Sequence, residues 1–346
     1  MQTVAVAVVG ATTFVGEAIL DLLAARKFPV GKVYALEAET DGTQDVDFGN
    51  KTLDVEPLAD FDFTEVQLVF FASDAATSVR YVPRAVTAGC IVIDDSEQFR
   101  MEADVPLVVA EVNPQAIAGY TKRRIIANPG SNVTQLLAAL QPLHQAATLT
   151  RLEIATYQAV SDSGRAGVQE LAQQTAQLLN GLPVDAAVYP RQIAFNLLPR
   201  IGTLLTNGYS SEEMKLVEET RKVLDLPTLA VNPTTVRVPV FFGHAAVVHL
   251  ETATKLSALQ AIALLQQNAG LTVMDDAAAD AFPTPVTDAV NSEQLYISRI
   301  RESLGTSNGL NLWLVADNIR RGAALNAVKI AEILINAYPP AWFSEN

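Results

Sequence analysis

The sequence predicts an α/β protein of two domains: a mainly parallel sheet wrapped by helices, then an α+β domain on a mixed sheet. Three observations carry this. The chain has 346 residues, about two domains at roughly 150 residues each. In its first half, apolar β-branched runs alternate with helical patterns, as in a parallel sheet with crossover helices. In its second half, runs of strands with intervening helices suggest a mixed sheet.

The elements follow in order. A strand at 4–9 leads into a helix at 15–25. Further strand-like runs lie at 33–36, 66–71, 91–93 and 124–127, with helical patterns at 76–88 and 131–146. A strand at 151–160 leads to a helix at 164–180, rich in Ala, Gln and Leu. Pro183, Pro190 and Pro199 mark a loop region, and a charged helix follows at 211–223. Strands are expected at 236–242 and 245–252, a helix at 257–267, and strands at 295–301 and 310–316. The last helix, 319–337, is apolar on one stripe and too long for a loose tail.

Composition narrows the function. With 24 basic and 38 acidic side chains the net charge is −14, which repels phosphate backbones. Neither nucleic acid nor an anionic membrane surface is an expected partner. Hydrophobic residues at 49% and charged residues at 18% are too apolar a mixture for disorder. No apolar run reaches the ~18 residues of a membrane span, and the chain opens directly into a strand pattern. Cys90 is the single cysteine, so an internal disulfide is impossible. With His144, His244 and His249 the only histidines, a Cys-rich zinc site is excluded and no metal is expected. A soluble, cytoplasmic protein is the expectation.

Val9-Gly10-Ala11-Thr12-Thr13-Phe14-Val15-Gly16 lies between the first strand and the first helix, where a dinucleotide-binding loop belongs. Gly10 suits the tight turn and Gly16 lets the helix pack closely on the strand. Thr13 stands where the backbone should approach a pyrophosphate; its Cβ crowds a ligand there, although its hydroxyl can bond phosphate. This makes the first domain Rossmann-like, with Gly10, Thr12, Thr13 and Val15 as candidate cofactor contacts; a plain strand-to-helix turn is the other reading. After the second strand come Glu37, Glu39 and Asp41. A carboxylate at that point bonds the ribose 2′-OH of NAD and repels the 2′-phosphate of NADP. NAD is therefore the better fit, against the ordinary reading of a solvated acidic loop.

The strand at 124–127 runs into Asn128-Pro129-Gly130-Ser131 and a helix. A helix N-terminus favours negative charge, and a cysteine there would be an activated thiolate. A serine hydroxyl stays protonated without a base beside it. On the residues alone, Ser131 is expected to be the helix N-cap.

Asn128-Pro129, Tyr157-Gln158-Ala159-Val160-Ser161, Arg237-Val238-Pro239-Val240-Phe241-Phe242-Gly243-His244 and Asp317-Asn318-Ile319-Arg320-Arg321-Gly322-Ala323-Ala324-Leu325-Asn326-Ala327 follow in order. Together they resemble the aspartate-semialdehyde dehydrogenase family, from Val4 to Leu334. The resemblance implies a Rossmann-like dinucleotide-binding domain at 1–130 and 319–346, and a substrate-binding and dimerisation domain at 131–318. It also implies a homodimer. Enzymes of this family reduce L-aspartyl-4-phosphate with NADPH, releasing phosphate, on the route to lysine, methionine and threonine.

Their nucleophilic cysteine follows Asn-Pro-Asn; here Asn128-Pro129-Gly130 precedes Ser131, and the family's next Ser-Thr is Asn132-Val133. Cys90 offers no replacement and is expected to be a packed thiol. The substrate side is kept. By resemblance Gln158 orients substrate, His244 is the general acid/base, and Arg237 clamps the substrate carboxylate. Arg100 and Lys215 hold phosphate, and Glu212 contacts the substrate amine. Each also has an ordinary structural reading, such as a Glu212–Lys215 surface pair or a salt bridge at Arg237. The cofactor side departs further. The middle glycine is Thr13, and the family's Ser-Ala-Arg-Ser-like segment, which holds the NADP 2′-phosphate, is acidic at Glu37 and Glu39. An Asn-containing stretch has become Asp94-Asp95-Ser96. Asn318 joins the implied cofactor set.

The expectation is thus a family member resembling the paralogues that lack the catalytic cysteine, with a pocket for a small anionic ligand. It is non-catalytic or very weakly catalytic, and binding of NAD or NADP is weakened, with NAD favoured. The alternative is an active NAD(P)-dependent phosphorylating aspartate-semialdehyde dehydrogenase, or a related acyl-phosphate or aldehyde oxidoreductase of amino-acid biosynthesis.

Overall fold

The computed structural model describes residues 3–40, 43–276, 281–340 and 343; Asp41 lies outside the described residues. The chain divides into two units. One comprises Met1–Gly130, Lys222–Leu224 and Ala323–Asn346, the other Ser131–Arg221 and Asp225–Gly322. Among the described residues no helix is long and apolar enough to cross a membrane.

The first unit opens with β1 (Val4–Val9), α1 (Phe14–Ala25) and β2 (Val30–Glu37). A hairpin of β3 (Asp45–Phe48) and β4 (Lys51–Pro57) follows, then β5 (Leu68–Phe71), α2 (Ala75–Thr87), β6 (Ile91–Asp94) and β7 (Ile125–Ala127). The described strands are ordered β3-β4-β2-β1-β5-β6-β7, all parallel apart from the β3–β4 hairpin. β5 is buried at every residue, as an interior parallel strand must be. The chain continues from β1 to β2 on one side and enters β5 on the other. The loop after β1 therefore sits at the switch point where open α/β sheets bind ligands.

Two glycines make that loop possible. Gly10 has φ +78°, and a Cβ there would lie 2.4 Å from the Ala72 carbonyl oxygen. A Cβ on Gly16 would lie 2.1 Å from the Gly10 carbonyl oxygen. The β3–β4 hairpin was not expected, because its inward face has only Val46 and Val55 buried among exposed charges.

The second unit holds α3 (Ser131–Ala147), β8 (Leu149–Gln158), α4 (Gly164–Leu179), α5 (Ser211–Leu224), β9 (Ala230–Arg237) and β10 (His244–Thr252). It continues with α6 (Ala258–Gln266), β11 (Leu271–Val273), β12 (Leu295–Glu302) and β13 (Gly309–Ala316). Its described strands are ordered β11-β12-β13-β10-β8-β9. β8–β9 and β11–β12 are parallel and the other pairs antiparallel, so the sheet is mixed.

Two expected elements are corrected. The strand expected at 236–242 instead spans Ala230–Arg237, and 238–243 is a loop. β9 is the edge strand of the described sheet, paired along its length with β8 and bridged only at Arg237 to Leu198, and an interior proline such as Pro233 is tolerated at such an edge. The helix expected from 319 begins as a π-helical segment, Asn318–Ala324, and becomes α-helical only as α7 (Leu325–Ala337). Asp317 sets this start: its Oδ1 accepts from the Ile319 and Arg320 amides at 2.8 and 2.7 Å. Its carbonyl accepts from the Gly322 amide at 2.9 Å, the five-residue span of a π turn. α7 completes the first unit's core, with Leu325, Val328, Ala331 and Leu334 in one apolar cluster with Ile19, Leu22 and Leu23.

Candidate active site

Strand register assembles the polar cluster of the second unit. Gln158, at the end of β8, is the parallel partner of Arg237 at the end of β9. On the other side of β8, Ala245 pairs with Tyr157, so His244 comes one residue beyond that pair. A capping box starts α5: Ser210 Oγ accepts from the Glu213 amide at 3.3 Å, and the Ser210 amide donates to Glu213 Oε2 at 2.7 Å. The Thr235 amide donates to Glu213 Oε1 at 3.1 Å, tying the helix start to β9. This places Glu212 and Lys215.

Glu212 Oε1 accepts from the side-chain amides of Gln158 and Asn132, each at 3.3 Å. Lys215 Nζ lies 4.0 Å from Glu212 Oε2. Burial, then the negative charge of Asp162, raises the Glu212 carboxyl above its ordinary range, and Lys215 opposes the shift. Arg237 is buried and donates from Nη1 to the Ala159 carbonyl and from Nη2 to Asp162 Oδ2, both at 2.7 Å. Partial loss of hydration works against ionisation of Asp162, but the charge of Arg237, that of His244 when protonated, the bond from Arg237 and the charge of Lys215 hold its carboxyl below the usual range. His244 is almost fully buried, and burial lowers its pKa to about 4. Arg237 adds to that depression, while Asp162 and the Ala159 carbonyl oppose it. Both His244 ring nitrogens and Gln158 Oε1 are buried without a hydrogen-bond partner among the described residues. Such atoms call for a ligand or water.

Asn318 is committed nearby. Its Oδ1 accepts from the Gly243 amide at 2.9 Å, and its Nδ2 donates to Ser161 Oγ at 3.1 Å. It thereby fastens the turn that leads into His244, where Gly243 has φ +89°.

Ser131 is the first residue of α3, not its cap, and its Oγ makes no hydrogen bond with a described residue. The expected N-cap is therefore corrected. Ser131 packs instead against Gly322, where an added Cβ would stand 2.6 Å from Ser131 Cβ. Cys90 is in the first unit, fully buried, with Sγ 3.2 Å from the Phe63 carbonyl and 3.3 Å from that of Val66. Burial pushes its thiol up to about 11.

In the first unit the loop amides are engaged internally. The Gly10 and Ala11 amides donate to the Leu36 carbonyl at 2.9 and 3.2 Å. Thr12 donates its amide and hydroxyl to Glu37 Oε1 at 2.8 and 2.6 Å. Thr13 Oγ1 caps α1 by accepting from the Gly16 amide at 3.0 Å, and lies 2.8 Å from the Gly10 carbonyl. Val15 is half-buried in the first turn of α1, and Glu39 is exposed. The turn has the tight glycine geometry of a dinucleotide loop, but a dinucleotide's phosphate there would compete with Glu37 for the Thr12 amide. Arg100 is held in a network of the first unit: it donates from Nε to the Asn128 carbonyl at 2.9 Å and from Nη2 to the Asp95 carbonyl at 2.6 Å. Asn128 in turn donates to Asp95 Oδ1 and accepts from Asn326 Nδ2, both at 2.6 Å. Among the described residues no three His, Cys, Asp or Glu side chains gather as they would around a metal ion.

The second unit therefore brings together Gln158, Glu212, Lys215, Arg237 and His244, and it adds Asn132, which the sequence marks only as a departure from the family's Ser-Thr, and Asp162, which it does not mark. An acidic residue directly after the Tyr157–Ser161 motif was the available signal for Asp162.

A switch-point glycine turn on a parallel sheet in one unit and a mixed sheet carrying a buried polar cluster in the other give the two-domain fold of the semialdehyde dehydrogenase families. The model of the semialdehyde dehydrogenase NAD binding domain matches residues 5–120, and that of the semialdehyde dehydrogenase dimerisation domain matches residues 140–321. An aspartate-semialdehyde dehydrogenase of Legionella pneumophila is 47% identical over 329 residues, 95% of each chain. One from Shewanella sp. (strain DB6705) is 44% identical over 333 residues, 96% of this chain and 98% of that one. The crystal structure of Vibrio cholerae aspartate semialdehyde dehydrogenase II complexed with ASA superposes with a TM-score of 0.95 at 44% identity, covering 98% of this chain and all of that one. The chain belongs to the aspartate-semialdehyde dehydrogenase family.

The buried His244 generates a pH prediction. An unfolded imidazole titrates near 6.5, the folded one at about 4. As pH falls the unfolded chain takes up this proton first, so stability present above pH 6.5 is lost progressively toward pH 4. His244→Asn removes that difference. Its melting temperature should fall less steeply between pH 6.5 and 4 than that of the unaltered protein in calorimetry; parallel slopes would contradict a buried neutral imidazole.

Proposed function

We propose that this family member binds a small anionic ligand in its second unit and completes little or none of the dehydrogenase reaction. The observation that carries this reading is Ser131. It stands in the place of the family's cysteine with no base hydrogen-bonded to its Oγ among the described residues, and the one thiol of the chain is buried at Cys90. A hydroxyl without a base is a weak nucleophile, and the ester it would form is less reactive than a thioester. Loss of the nucleophile removes most of the catalysed rate. The retained side chains support ligand binding: Gln158 and His244 present buried polar atoms, Lys215 and Arg237 supply positive charge, and Glu212 offers a carboxylate to an amine.

Residues 1–130 and 319–346 are assigned to dinucleotide binding, and 131–318 to ligand binding and dimerisation. Glu37 on Thr12 supports weak cofactor binding, and with Glu39 exposed beside it supports NAD over NADP. The match to a dimerisation domain supports a two-fold homodimer. Leu179, Leu182, Phe195 and Leu197, all exposed apolar side chains of that domain, supply surface for it. Sedimentation at micromolar concentration should give a dimer; a monomer would overturn this assignment.

A second reading is an active phosphorylating aspartate-semialdehyde dehydrogenase, favoured by 47% identity to a near-full-length relative of that name. Turnover separates the two. Assays of aspartate semialdehyde with phosphate and either nicotinamide cofactor should give no rate above background, and any residual rate should be faster with NAD. A rate of about 1 s⁻¹ or more, ordinary for an enzyme, establishes the second reading. Ser131→Cys should be alkylated readily at its helix N-terminus. It should still turn over poorly, because the altered neighbours Gly130 and Asn132 misplace the thiol, and a ~1 Å error costs about a hundredfold.

A further inference from the structure

We propose that Asp162 is the resident occupant of the Arg237 carboxylate site, so that the pocket selects a small ligand with one anionic group over one carrying a second carboxylate. This rests on the reading of the second unit as an anion-binding pocket.

The geometry separates two jobs of the Arg237 guanidinium. Nη1 donates to the Ala159 carbonyl and Nη2 to Asp162 Oδ2, both at 2.7 Å. The first bond is structural, since it closes the 3-10 turn Val160–Ser163 that follows β8 onto the end of β9. That turn is already held without the Asp162 side chain. The Val160 and Ser161 amides donate to the Val240 and Phe241 carbonyls at 2.9 and 3.0 Å, and the Asp162 amide donates to the Ala159 carbonyl at 3.3 Å. The carboxylate is thus not needed to shape the backbone.

Its exposure differs sharply from that of its partner. The Arg237 side chain is 5% exposed and that of Asp162 33%. A buried cation therefore has a solvent-reaching carboxylate laid on the N–H that a ligand carboxylate would otherwise meet. Arg recognises carboxylates through such paired N–H groups, and the chain supplies the carboxylate itself. An incoming second carboxylate must displace Asp162 or accept a like charge beside it. A ligand whose corresponding end is a neutral amide meets no such repulsion.

Succinate and succinamate share one skeleton and differ by one charge, so calorimetric titration with both reads the preference directly. The unaltered protein should bind succinamate more tightly than succinate. Asp162→Asn keeps the shape and removes the charge. It should raise succinate affinity about tenfold or more, the scale of one charge-assisted hydrogen bond, with succinamate changed much less. Adding Arg237→Gln should abolish the gain, and Asp162→Glu should restore the original preference. Should Asp162→Asn fail to fold, Asp162→Ser carries the same comparison. An unchanged succinate-to-succinamate ratio in Asp162→Asn, with binding still lost in Arg237→Gln, overturns the proposal and leaves the anion pocket standing. Binding indifferent to both Arg237→Gln and Lys215→Ala, or absent in every variant, overturns the pocket reading and this proposal with it.

Discussion

One buried guanidinium holds the functional end of the second unit together. Arg237 ends the edge strand β9 and reaches the turn that follows β8, where it bonds the Ala159 carbonyl and Asp162. That turn is laced to the 238–243 loop through Val240 and Phe241, and Asn318 pins the same region by bonding Ser161 and the Gly243 amide. His244 follows Gly243 directly. A buried charge needs partners that satisfy it, and the Ala159 carbonyl is the backbone partner that ties the turn after β8 to Arg237. The arginine that resemblance assigns to substrate is also the arginine on which the local backbone hangs.

The two units bear on the proposed loss of dehydrogenase chemistry in different ways. In the first, the glycine turn is intact, but its polar groups are turned inward: Glu37 takes the Thr12 amide and Thr13 caps α1. In the second, the side chains to which the proposed function gives binding roles lie in one polar cluster, and Ser131 stands at the position the resemblance gives to the nucleophile. His244, held neutral by burial, is in the protonation state a base requires, yet Ser131 Oγ is hydrogen-bonded to no described residue.

The sheet architecture was legible because its signals are local. β1 and β5 are continuous apolar runs, and Gly10 and Gly16 sit where close backbone approach excludes a Cβ. The β3–β4 hairpin was not legible, since exposed charges around Val46 and Val55 leave no period to read. The position of β9 was not legible because the apolar run 236–242 carries the strand-like pattern, while the polar Asn232-Pro233-Thr234-Thr235 stretch suits only an edge strand. The cluster members Gln158, Arg237 and His244 were legible only through motif resemblance. Their proximity comes from parallel β8–β9 and antiparallel β8–β10 pairing, a long-range fact that no local pattern encodes. For Asp162 the sequence shows an acid directly after the Tyr157–Ser161 motif, but not its partner Arg237, 75 positions away.

On the proposed function, Ser131 is not a nucleophile, although its pocket still binds a ligand. A covalent adduct is the most direct test of that claim, because it reports the first chemical step even when later ones fail. Intact-mass spectrometry of the protein quenched after mixing with aspartate semialdehyde and NAD, followed by peptide mapping, should show the unmodified mass and an unmodified Ser131 peptide. An acyl adduct mapped to Ser131, absent in Ser131→Ala, would contradict the account.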